Sequence, residues 1–114
     1  MTKFAPFAVD LAAVLVFVAV GRRSHDEASS ITGYLLTASP FLLGVAASWV
    51  ALAVARPDGW LVPAVVTWIV TVAIGVLLRR FAFGDGAPTS FVVVTTIVLA
   101  LLIVGGRALA ERLA

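Results

Sequence analysis

Residues 60–80 read WLVPAVVTWIVTVAIGVLLRR. The run is rich in Val and Ile, side chains that favour strands in a half-wet sheet. It is also about 20 residues long, the length of a helix that crosses a bilayer, and carries no charge before Arg79-Arg80. In lipid an open strand edge would leave backbone donors and acceptors unsatisfied, so the segment reads as a transmembrane helix. That choice decides the fold.

Three further runs repeat the pattern. Spans are expected at residues 4–21, 31–55, 60–78 and 88–106, each reaching roughly 27 Å or more at 1.5 Å per residue. The whole chain of 114 residues is 62% hydrophobic and 12% charged, with a mean hydropathy of +1.15. A water-soluble globule this small buries too little surface to hide so much apolar matter, so lipid must cover it. The expected fold is all-α, a polytopic membrane protein with four transmembrane helices in a compact bundle, one domain over residues 1–114. A shift of 57 residues places Arg22-Arg23 on Arg79-Arg80, Pro6 on Pro63 and Asp10 on Thr67. The match is weak, and a duplicated pair of helical hairpins is the arrangement it suggests.

Several function classes are excluded at this level. No cysteine is present, so neither a disulfide framework nor a thiolate site exists. One histidine rules out Cys/His metal clusters. The formal charge of +2 comes mostly from Arg pairs at span ends, which reads as interface anchoring rather than nucleic-acid binding. The first run lacks a small-x-small cleavage site and its strongest positive charge follows the apolar stretch, unlike a signal peptide. Ser24-His25-Asp26 has triad residue types, but adjacent residues do not converge their side chains. The GDGAPTS loop (84–90) lacks the Lys-Ser/Thr ending of a phosphate loop and reads as a turn with Thr89 or Ser90 near a helix N-cap. No catalytic residue, metal ligand or cofactor site is expected, and the protein reads as a non-enzyme.

Four spans put both termini and the Arg56-Pro57-Asp58-Gly59 turn on one side. Lys3, Arg56, Arg107 and Arg112 then face Arg22, Arg23, Arg79 and Arg80, an even balance that leaves orientation open. The Arg pairs, nearest the membrane, are taken as the cytoplasmic set. With His25 they also form a candidate anion or headgroup contact (Arg22, Arg23, His25, Arg79, Arg80), because Arg forks match phosphate. The plainer alternative is a set of snorkelling topology anchors and a solvated histidine.

Asp10 is the residue the composition does not explain. It lies within FAPFAVDLAAVLVFVAVGRR (4–23), near mid-bilayer by its distance from Gly21, where a charged Asp costs about 2.5–3.5 kcal/mol on insertion scales. Protonation, hydroxyl partners or a wet cavity would offset that cost. Thr67 and Thr71 of the third span lie at matching depth. No Arg or Lys does by this count, so an ion pair within one subunit is not expected. Two roles stay open: a proton- or cation-responsive site, or a carboxyl that joins helices by hydrogen bonds. Gly44 and Ser48, continued by Ala47, Ala51 and Ala55, form a small-residue ridge suited to close helix approach. Pro40 is expected to bend the second helix. Gly105-Gly106 reads as the place where the last helix loosens. The indoles of Trp49 and Trp68 need partners inside the membrane.

VDLAAVLVFVAVGRRSH (9–25), SPFLLGVAASW (39–49), TWIVTVAIGVLLRR (67–80) and the TSFVVV segment (89–94) with its later GGRAL (105–109) resemble a prokaryotic membrane family, domain-of-unknown-function family 3054. The resemblance implies a four-helix membrane protein and carries no catalytic roles. Small multidrug-resistance transporters share only length, span count and one acid in the first span. The expectation is therefore a multi-pass protein of the prokaryotic cell membrane whose partners are the lipid bilayer and further copies of itself, a homo-oligomer, and not nucleic acid. One functional reading is a small oligomeric transporter or proton-responsive unit that moves a solute or proton through Asp10. The other is a non-catalytic accessory or scaffold protein in which Asp10 is an interhelical hydrogen-bonding residue.

Overall fold

A computed structural model describes residues 5–24, 31–82 and 88–113, with the side chains of residues 22–24 outside the description. Helix α1 spans Ala5–Ser24, α2 Ile31–Ala55, α3 Leu61–Phe81 and α4 Thr89–Leu113. No strand occurs among the described residues. Helices α2, α3 and α4 are each long and apolar enough to cross a membrane, while the apolar part of α1, Ala5–Gly21, is shorter. The bundle is 39 Å long and about 25 Å across, long enough for a hydrocarbon layer of roughly 30 Å.

The distribution of side chains suits lipid as the surrounding solvent. Leu15, Val16, Leu43, Val50, Ile69 and Leu101 lie on the outside. Asp10, Ser48, Thr67, Thr71, Thr95 and Arg107 are buried. A water-soluble protein has the reverse arrangement. The interior is completed by Ala13, Val14, Phe17 and Val18 of α1, which recur at the spacing of one helix face and pack on Phe41, Val45, Leu99 and Ile103.

The close approach of α2 and α3 depends on glycine. A Cβ on Gly44 would lie 2.9 Å from the Thr71 carbonyl oxygen and 3.0 Å from its Cα. One on Gly75 would overlap the ring of Phe41. Gly44 and Ser48 are thus the packed part of the small-residue ridge, whereas Ala51 and Ala55 are exposed. Pro40 does not interrupt α2, which continues through it. The hydroxyls of Thr37 and Ser39 donate to the carbonyls of Gly33 and Leu35 beside it. At the turn between α2 and α3, Arg56 (φ 48°) and Gly59 (φ 76°) take left-handed backbone conformations.

Helix α4 departs most from expectation. It does not loosen at Gly105-Gly106 but runs to Leu113; at its start the N-cap is Pro88, with Thr89 and Ser90 next to it as expected. Residues Ala100–Val104 form a π turn, wider than an α turn. Thr95, Leu99, Ile103 and Arg107 all face the interior at intervals of four. Twelve residues of regular α-helix would place Arg107 about 120° off the face of Thr95. The wider turn takes up that drift and aims Arg107 inward.

Candidate functional site

Asp10 is fully buried and ion-paired with Arg107. The Nε of Arg107 donates to Oδ1 at 3.0 Å and its Nη2 to Oδ2 at 2.5 Å, a bidentate fork. The indole Nε1 of Trp49 donates to Oδ2 at 2.8 Å, and Nη2 of Arg107 also reaches Oγ1 of Thr67 at 3.2 Å. Each of the four helices therefore contributes one residue: Asp10 from α1, Trp49 from α2, Thr67 from α3 and Arg107 from α4.

This overturns the expectation that no cation shares the depth of Asp10. Ending the fourth span at Gly106 leaves Arg107 in a polar tail, one residue outside the membrane segment. The helix continues, and Arg107 lies in it six residues before Leu113. Asp10 stands five residues after Ala5, about 8 Å along α1 from the first described residue. Trp49 is six residues before Ala55 and Thr67 six after Leu61, which puts all four at one level below the end that carries the α2–α3 turn.

Local sequence makes the meeting feasible. Gly106 stands against Val9, and a Cβ there would lie 2.7 Å from Cγ1 of Val9, so glycine lets α1 and α4 close on each other beside the pair. Phe7 packs edge-on against the Trp49 ring at 5.0 Å and covers the indole. An ion pair held this way has little access to water, and burial of two charges costs several kcal/mol that only good geometry and added hydrogen bonds offset. Both are present.

Thr67 belongs to the cluster, although its partner is Arg107 rather than Asp10. Thr71 is fully buried one turn further along α3, and its hydroxyl has no partner among the described residues. At the far end of the bundle Arg79 lies 4.5 Å over the ring of Phe91, and Arg80 lies 5.6 Å over Phe81. Phe91 in turn meets Phe17 and Phe41, whose rings are 5.5 Å apart. Arg79 thus rests against the aromatic layer that closes this end. His25 and the side chains of Arg22 and Arg23 lie outside the described residues, as does most of the GDGAPTS loop. No group of His, Cys, Asp or Glu suited to a metal ion occurs among the described residues.

Trp49 and Arg107 are the site residues that sequence reading did not assign. For Trp49 the signal was an indole inside a span that needed an acceptor. For Arg107 it was the interval of four through Thr95, Leu99 and Ile103. A family described as proteins of unknown function, DUF3054, matches residues 7–110. No curated protein and no solved structure matches the chain.

Proposed function

The chain belongs to the DUF3054 family of proteins of unknown function, and we propose that it is a non-catalytic helical unit of a membrane assembly. It acts as an accessory or scaffold subunit in the prokaryotic cell membrane, and Asp10 locks its bundle. The observation that supports this reading is the occupancy of the carboxylate. Both oxygens accept hydrogen bonds, three in all, from two other helices. A carboxylate so held fixes helix positions, and freeing it for exchange with a solute means breaking all three bonds. The lipid-facing aliphatic exterior is then the surface for further copies or other membrane helices.

A second reading, transport, is favoured by cost. Buried ion pairs are often no more stabilising than apolar residues of the same volume, and ionisable groups retained within spans commonly mark ion or proton pathways. On that reading a homo-oligomer couples opening of the Asp10–Arg107 pair to movement of a proton or small solute. Asp10→Asn in liposomes separates the two. The scaffold reading expects a lower unfolding temperature, reduced recovery of the assembly, and no proton-linked flux in either protein. Loss of a wild-type flux by a folded Asp10→Asn assembly would refute it in favour of transport.

A further inference from the structure

The half-buried indole of Trp68 reaches across from α3, and its Nε1 donates to the carbonyl oxygen of Thr96 in α4 at 2.9 Å. The neighbouring residue, Thr67, receives Nη2 of Arg107 on its hydroxyl at 3.2 Å. Two adjacent residues of α3 therefore hold α4 at two places, and the π turn Ala100–Val104 lies between them. Thr96 stands four residues before that turn and Arg107 three after it.

The bond from Trp68 falls on a carbonyl that the helix itself uses. In a regular α-helix the N–H of Ala100 would donate to the carbonyl of Thr96 alone. Here it is shared between the carbonyls of Thr96 and Ile97, at the residue where the π turn begins. A side chain that enters the backbone ladder is an established cause of local distortion in a helix, and a π turn is one form the distortion takes. The Thr96 hydroxyl does not compete for this site, because it donates one turn back to the carbonyl of Val92.

We infer that Trp68 is a positioning residue for Arg107: its indole N–H takes up part of the Thr96 carbonyl, opens α4 into the π turn, and so brings Arg107 onto Asp10. Without the wider turn a regular helix would carry Arg107 about 120° off the face of Thr95, away from the carboxylate. The inference goes beyond the locking role of Asp10, since it concerns how the pair is placed. It holds whether the pair locks a scaffold or opens during transport.

The test uses the full chain in lipid bilayers. Trp68→Phe keeps an aromatic ring and removes the N–H, while deletion of Leu101 restores the inward register of Arg107 without a π turn. The readout is the nitrogen–proton NMR resonance of Arg107 Nε, assigned by its absence in Arg107→Met and set apart by the bond to Oδ1 of Asp10. Trp68→Phe is expected to move it toward the resonances of the exposed Arg56 and Arg112, and to raise the unfolding equilibrium constant roughly three- to thirtyfold. Deleting Leu101 from Trp68→Phe is expected to return the resonance to its wild-type position, because the register no longer needs the indole. An unmoved resonance in Trp68→Phe would overturn the inference, since the π turn would then form without the indole. A displaced resonance that the deletion does not restore would overturn it too, as the mark of lost packing alone. Should Trp68→Phe not fold, the variant that also lacks Leu101 decides: folded with the wild-type resonance it supports the inference, and displaced or unfolded it refutes it.

Discussion

Replacing Asp10 by Asn keeps the volume of the side chain and removes the charge that Arg107 is folded against. Three donors converge on the carboxylate, one at Oδ1 and two at Oδ2. An amide offers a single carbonyl oxygen and presents N–H groups on the other side. Whichever way it turns, at least one donor of the Arg107–Trp49 set meets another donor, and the guanidinium loses its counter-ion. Removal of one partner from a buried pair costs about 3–5 kcal/mol. Arg107 is six residues from Leu113, about 9 Å from the helix end, so part of its charge is relieved by reaching toward the interface. The lower limit, about 3 kcal/mol, is the expected value, which corresponds to a rise of roughly a hundredfold in the unfolding equilibrium constant. Reversible unfolding in bicelles, followed by the fluorescence of Trp49 and its neighbours, measures it. The companion variant Asp10→Leu/Arg107→Met removes both charges and is expected to recover most of the loss, because apolar replacement of a whole buried pair is often neutral or stabilising. If Asp10→Asn unfolds within threefold of wild type, or the double variant is no better than the single, the pair does not hold the bundle together.

Other expectations follow from neighbouring contacts. Trp49→Phe keeps the edge contact with Phe7 and loses only the indole N–H to Asp10, so its cost by the same unfolding measurement is about 0.6–2 kcal/mol, well below that of Asp10→Asn. Gly44→Val drives a side chain into the backbone of Thr71, which cannot move aside, and is expected to destabilise by about 1–3 kcal/mol. Gly21→Ala, whose Cβ would meet nothing within 4 Å, is expected to be neutral or mildly stabilising under the same conditions. Deleting Leu101 from the π turn lets α4 revert to a regular helix with Arg107 still on the inner face, so near wild-type stability is expected. Inserting one residue there instead rotates Arg107 by about 100° and is expected to cost as much as Asp10→Asn.

The architecture could be read from the chain because lipid leaves few alternatives. A segment such as 60–78 must satisfy its own backbone, and a helix is the way an isolated apolar run does so. The bounds of α2 at Ile31–Ala55 follow from the same rule, since the polar residues before it and Arg56-Pro57 after it both end the apolar stretch. The inward position of Thr67 was readable too, as a hydroxyl in a run of aliphatics at the depth of Asp10.

The partner of Asp10 was harder to see, for physical rather than accidental reasons. Hydropathy falls at Gly105-Gly106-Arg107, and two glycines followed by a charge are a reasonable helix end in water. Here the glycine at 106 serves instead to admit Val9, and the charge is neutralised from inside the bundle. A residue-by-residue hydropathy sum cannot contain that neutralisation, because it belongs to a pair 97 positions apart in the chain. Topology does contain it. In an up-down bundle α1 descends from the face toward which α4 rises, so a residue five positions into α1 shares its level with residues about as far from the end of α4. Asp10, Trp49, Thr67 and Arg107 are all five or six residues from the ends of their helices at one face. The search for the partner of a buried charge in such a chain therefore belongs to the common face, counted inward along every helix, including polar turns that hydropathy assigns to the tail.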